Sequence, residues 1–233
     1  MALVNINTKL SDIVLSEPSI ITVLNRFDIK FGLGDTAVKD ICIEKDIDTD
    51  FFLAILNTFI YEEYFPAKVL NSFRATKIID YLSKTNFYYE QFLIPNIERH
   101  FLLLISKSSD TNNLQFLMKF FIELKKELLT RIENDRKIWF PEIIELENRI
   151  SREGNTLKEV EIRNYITEND LIEDKLSDLK YMFIAHLSGK YDINLGNAVL
   201  FAIVSLDKDI HQNNRIRNRI LVPLSSMIKE IIK

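Results

Sequence analysis

An all-α protein is the fold class this sequence predicts, on three observations. Only 5 glycines and 5 prolines occur in 233 residues, so the turn residues that an all-β chain needs between its strands are scarce. Leucine, isoleucine, lysine and glutamate are abundant, a composition that favours helix when glycine and proline are few. From about Ala75 onward, apolar residues recur at alternating three- and four-residue steps, the period of helices that each bury one face.

Composition narrows the class further. Hydrophobic residues make up 47% of the chain, ample for a packed core, and the length suits one large domain or a small domain beside a larger one. The net charge is -4 and the pI about 5.5, so no basic excess points to nucleic acid. Cys42 stands alone, which excludes an internal disulfide and a thiolate metal cluster and fits a reducing cytoplasm. The opening MALVNINTKLSDIV has neither a basic n-region nor a long apolar h-region, so a secretory signal is not expected. No apolar run approaches the roughly 20 residues that span a bilayer.

Three short helices fit residues 9–59. In SDIVLSEPSIITVLNRF, Pro18 stands near a helix start, with Ile20, Ile21, Val23, Leu24 and Phe27 on the apolar side. FGLGD (31–35) reads as a turn, because Gly32 and Gly34 tolerate positive φ. A short helix covers 36–45. DIDTDFFLAILNTFI then opens on capping residues; Asp46, Asp48 and Asp50 lack the glycine and closing glutamate of a calcium loop, so they are read as caps. Residues 61–74 are a linker broken at Pro66, and no internal repeat is evident.

Four long amphipathic helices follow. They run from Ala75 to about Ser106, from Asn113 to Phe140 where Pro141 stops the helix, from Leu157 to Leu187, and from Leu195 to Ile232. Pro95 and Pro223 predict kinks inside the first and fourth. Short links between long helices make an up-and-down bundle. The expected organisation is a helical N-terminal domain at 1–60 and a bundle at 75–233.

Each inward stripe carries a polar interruption. The second helix reads Leu117, Phe121, Leu124, Leu128, Arg131, Asp135, Ile138. The first includes Asn86 and His100, the third Tyr165 and Asn169, and the fourth Asn213 and Arg217. Burying an unpaired charge costs several kcal/mol even after relaxation. Either Arg131, Asp135 and Arg217 neutralise one another in one layer, or a stripe is misphased by a residue and its charges are solvated.

These residues carry a resemblance. LNRFDIKFGLGDTAVKDICIEKDID (24–48) resembles the F-x-R-[YF]-x-I-x-F-C-C-G-G segment of the hemerythrin-like repair-of-iron-centres family, the ScdA/YtfE type. Phe27, Ile29, Phe31, Gly34 and Cys42 fit it, whereas Gly32 and Leu33 stand where that family has paired cysteines. RIEND before RKIWFP, and NNRIR before NRILVP, resemble its H-x-x-x-E frames ahead of FP and LFP tails. The resemblance implies a four-helix bundle that holds two irons in relatives. It puts Arg131 and Asn213 at histidine positions, Asp135 and Arg217 at glutamate positions, and Asn169, with Asp174 as the poorer match, at another histidine. Asn86, with Phe87 as the other register, falls on a further histidine, and the last falls near Ser108, with His100 as its possible survivor.

A di-iron site needs imidazoles and carboxylates with lone pairs on the metals. Guanidinium groups only donate and stay charged, so Arg131 and Arg217 repel iron. The expected cofactor is therefore none. Asp135 bridging two arginines, with Glu173 or Asp174 as compensating charge, is the expected replacement.

The leading functional expectation is a metal-free pseudo-hemerythrin acting as an interaction or regulatory module, with a protein partner or a second copy. One alternative is a small-anion sensor built on Arg131 and Arg217. The other is a di-iron or single-metal stress-repair protein that holds metal through Asp135, His100 and Asp174 or Glu173. His186 and His211 are read as packing or partly exposed residues, Cys42 as structural, and RIRNR (215–219) as salt-bridged structure.

Overall fold

The computed structural model describes residues 3–109, 112–152 and 171–232. Among these the chain is helical and has no β-strand; one antiparallel bridge joins Lys9 to Ala37. No helix among them is long and apolar enough to cross a membrane.

The N-terminal segment has four short helices rather than three: α1 (Leu10–Ser16), α2 (Ile20–Arg26), α3 (Val38–Glu44) and α4 (Thr49–Ile60). Pro18 accounts for the extra break, because its ring disfavours a helical residue before it. Glu17 then binds the Ser19 hydroxyl at 2.5 Å. Helices α2 and α3 end alike. Asp28 and Asp46 take positive φ, at 56° and 53°. The next residue returns its N–H five positions back, Ile29 to Leu24 O and Ile47 to Cys42 O, both at 2.9 Å. This is the left-handed closure usually given to glycine, which a short polar side chain also tolerates. Helix α4 starts at the expected cap: Asp48 accepts the Phe51 N–H at 3.1 Å.

After a 3-10 turn at Leu70–Ser72 come α5 (Ala75–Tyr88), α6 (Ile94–Lys107), α7 (Asn112–Asn134), α8 (Phe140–Arg152), α9 (Leu171–His186), α10 (Ile193–Ile216) and α11 (Val222–Ile232). Three of the joints between them are single π turns rather than loops: Tyr89–Leu93, Asp135–Trp139 and Arg217–Leu221. Each is followed by an apolar residue and then a proline, Ile94-Pro95, Phe140-Pro141 and Val222-Pro223. The physical reason is the same three times. Proline removes an N–H and pushes its ring against the carbonyl four residues back; widening the turn relieves both. The residue before the proline then bonds five back, Ile94 N–H to Tyr89 O and Val222 N–H to Arg217 O.

Two sequence expectations are corrected here. Pro141 does not stop the second long helix, which continues through its π turn to Arg152. The stripe of that helix is also misphased: Ile132 is buried, Arg131 is half-buried, and Ile138 is 63% exposed. A helix advances 3.6 residues per turn, not 3.5, and the π turn shifts the phase again. The part of the third helix expected at 157–170, with Tyr165 and Asn169, lies outside the described residues.

The chain forms two compact units. Unit one is Met1–Lys84, Phe140–Ile166 and Gln212–Lys233; unit two is Thr85–Trp139 and Thr167–His211. The core of unit two is a continuous cluster that includes Ile97, Phe101, Phe121, Leu128, Leu176 and Ile203. Unit one buries Leu24, Phe52, Phe59, Tyr81, Ile143 and Leu224, among others. There the start of α5 is closed from α8: Glu147 accepts the N–H of Ala75 at 2.6 Å and of Thr76 at 3.4 Å. A carboxylate suits this place, where unpaired N–H groups carry partial positive charge.

Two measurements test these local causes. Pro141→Ala should let the ordinary helical ladder run through residues 135–141, seen as greater hydrogen-exchange protection there; unchanged protection would assign the π turn to packing instead. The second concerns the Asp48 carboxyl. Burial raises it, but the Lys77 ammonium at 2.8 Å and the Phe51 N–H outweigh burial and hold it below its ordinary value. Its charged form therefore adds stability above an unfolded pKa of about 4, and this is lost as pH falls through the folded value. Asp48→Asn keeps an acceptor at the cap, so its deficit at pH 7, about 1 kcal/mol or less, should shrink in urea titrations below about pH 4 and vanish once the pH is below the depressed folded value.

Candidate functional site

The residues at which the resemblance places metal ligands divide between the two units. In unit two, Asp135 is 3% exposed. The Asn86 amide donates to its Oδ2 at 3.4 Å, so two of the expected positions meet. One residue further on, the Arg136 guanidinium grips Glu90 with both ends, at 3.1 and 3.2 Å. This two-point match of fork and carboxylate joins the first two π turns, and the Asn86–Asp135 bond ties the end of α5 to the start of the second.

The other expected positions of unit two stand apart. Ser108 ends α6, its hydroxyl donating to Leu104 O at 2.7 Å. Glu173 pairs with His211, Oε2 to Nδ1 at 2.7 Å, while Asp174 is exposed. His100 is half-buried, and its Nδ1 has no hydrogen-bond partner. His186 is exposed and meets the Tyr181 ring edge-on at 5.5 Å.

In unit one, Asn213 is buried and its Oδ1 accepts the Tyr81 hydroxyl at 3.0 Å. That hydroxyl in turn accepts Arg26 Nη1 at 3.4 Å, and the guanidinium carbon lies 5.6 Å from the Tyr81 ring centroid. Thr22 Oγ1 accepts the same Nη1 at 3.3 Å. Arg26 is 4% exposed. A buried chain from arginine through tyrosine to asparagine thus joins α2, α5 and α10. Sequence reasoning named Asn213 and missed Arg26 and Tyr81. Arg26 follows an apolar stripe with no periodic mark, and tyrosine at Tyr81 reads as ordinary core. Arg217 is half-buried in its π turn. Its neighbours Arg215 and Arg219 donate to main-chain carbonyls, Phe59 O at 2.6 Å and Tyr64 O at 2.9 Å, which gives the RIRNR cluster a structural role.

The proline repeat also exposes a register that the stripes hid. Counting back six and ten residues from Pro141 reaches Asp135 and Arg131, and from Pro223 reaches Arg217 and Asn213. The same count from Pro95 reaches Tyr89 and Thr85, both buried, rather than Asn86.

These donors do not fit a pair of irons. Asn213 spends its carbonyl oxygen on Tyr81, and Asn86 turns its amide N–H to Asp135. Arginine offers no lone pair. Among the described residues no three His, Cys, Asp or Glu side chains are gathered as ligands. At the N-terminal segment, Gly32 takes φ 90°, a conformation in which a cysteine would be strained. Cys42 is buried, and burial pushes its thiol up against an opposing Thr49 hydrogen bond, so it is a poor nucleophile.

Asn86→Asp tests the Asn86–Asp135 contact. Two carboxylates at this spacing raise each other's pKa, and the folded state resists their joint ionisation. The variant should lose about 1–3 kcal/mol at pH 7 and recover as pH falls below the raised value; a loss independent of pH would show that the two groups are not in contact. No protein-family model, curated protein or solved structure matches this chain, so its function is read from the chemistry of these side chains.

Proposed function

We propose that this chain is a degenerate relative of the hemerythrin-like repair-of-iron-centres proteins, a cytoplasmic four-helix bundle whose metal-ligand positions have become structural. Its role is then that of an interaction or regulatory module. The observation that carries this reading is the pair of hydrogen bonds Asn86–Asp135 and Tyr81–Asn213. Side chains that face metal in the family are bonded here to neighbouring helices. The left-handed Gly32, in place of a cysteine, supports it from the N-terminal segment. A protein partner is supported by the apolar surface of unit two, where Phe92, Phe116, Tyr181, Ile184 and Phe201 are each more than half exposed. A contiguous patch of large apolar side chains marks a surface that a partner covers, whereas singly scattered ones do not.

The deciding experiment is metal analysis of protein purified after growth with added iron. Far less than one iron per chain is expected. Stoichiometric iron that withstands a weak chelator would overturn the reading and restore the metal-dependent repair protein.

A second reading has one observation in its favour: Arg131 and Arg217 remain half-buried as permanent cations. If Arg217 binds a small anion, phosphate or nitrite should raise the melting temperature of the native chain and leave an Arg217→Leu variant unmoved.

A further inference from the structure

Unit one contains a cleft of about 450 Å³, a size that suits a small molecule. None of the expected metal-ligand positions lines it, although it shares Arg26 and Tyr81 with the hydrogen-bonded chain and Asp48 and Lys77 with the α4 cap. Its apolar wall is aromatic: Phe27 lies 6.0 Å from Phe51 and 5.6 Å from Tyr81 between ring centroids. Polar groups of both signs surround that wall. Arg26, Lys45, Lys77 and Lys84 supply four cations. Asp28, Asp46, Asp48 and Asp80 supply four carboxylates.

Most of these charges answer one another. Lys77 holds Asp48 at 2.8 Å, and Lys84 reaches Asp28 and Asp80, both at 3.4 Å. Two adjacent residues differ. Among the described residues Lys45 pairs with its neighbour Glu44, at 3.3 Å, which is not part of the cleft lining. Asp46 makes no ion pair or side-chain hydrogen bond among the described residues. The cleft therefore presents one cation and one carboxylate that its own charges leave unanswered, beside an aromatic wall. Asp46 also holds a left-handed backbone where glycine would be less strained.

We propose that this cleft binds a small zwitterion with an apolar body, of the class of α-amino acids with apolar side chains. Lys45, backed by the buried Arg26, receives the carboxylate; Asp46 receives the ammonium; Phe27 and Phe51 receive the side chain. Charge balance argues for a zwitterion over a simple ion. A net anion meets four carboxylates and a net cation meets four cations, whereas a molecule carrying both signs matches both. Desolvating a charge is compensated only where an opposite charge receives it.

The test is calorimetric titration of the full chain at low salt with L-phenylalanine, 3-phenylpropionate and 2-phenylethylamine. L-phenylalanine should bind with a Kd of about 1 mM or below and each single-charge analogue about tenfold more weakly. Asp46→Gly supplies the variant that separates binding from folding. It should melt at a higher temperature than the native chain, because glycine takes the left-handed conformation freely, and should lose L-phenylalanine binding about tenfold. Lys45→Met should weaken binding to a similar degree without lowering the melting temperature. The proposal is overturned by absent L-phenylalanine binding, by an equal affinity for either single-charge analogue, or by unchanged binding in the Asp46→Gly protein.

Discussion

A proline inside a helix that must continue is the constraint on which much of this structure depends. Pro95, Pro141 and Pro223 each sit one residue past a π turn and its apolar follower. A proline in mid-helix costs about 3 kcal/mol or more when the helix stays regular. Widening one turn moves the carbonyl away from the ring and lets the preceding N–H bond five residues back, so helical hydrogen bonding continues past the proline. The consequence is rotational. Everything after the π turn is advanced relative to a regular helix, and the buried face before the turn is not the buried face after it.

Of the buried polar groups, Asp135 and Asn213 lie at or before these turns, and each is met by a hydrogen-bonding partner. Asp135 opens a π turn and is buried, while Ile138, three residues later in the same turn, is exposed. A carboxylate so placed must be met by a donor, and Asn86 meets it within unit two. Unit one meets a buried cation with neutral acceptors: Arg26 donates to the Tyr81 hydroxyl, which donates in turn to Asn213. Such pairs contribute little net stability when intact, about 1 kcal/mol each, yet leaving one partner behind costs more. They specify which faces meet more than they strengthen the meeting.

The candidate positions were partly legible because residue type carries information that survives errors of phase. An aspartate on the inward stripe of a helix predicts a buried, partnered carboxylate, and Asp135 is one. Arginine announces less. Its long aliphatic stem lets the head reach solvent from a buried backbone, so Arg131 and Arg217, read as interior, are half-buried. Glu147 and Tyr81 were not legible at all. Glu147 closes a helix whose start lies 72 residues earlier in the chain, and no local pattern encodes such a partner.

By itself, the sequence determined the helical class, the broken N-terminal segment with its Asp48 cap, and that Arg131 and Arg217 offer no lone pair to a ligand. Those follow from local propensity and from what a side chain can donate or accept. Only tertiary structure decided that Pro141 is passed rather than obeyed, that Asn86 faces Asp135, and that α2 and α3 bring Lys45 and Asp46 to an aromatic cleft beside α5. Each of these depends on helical phase and on the packing of distant segments, where one inserted residue turns a whole face, and a one-dimensional pattern does not carry that rotation.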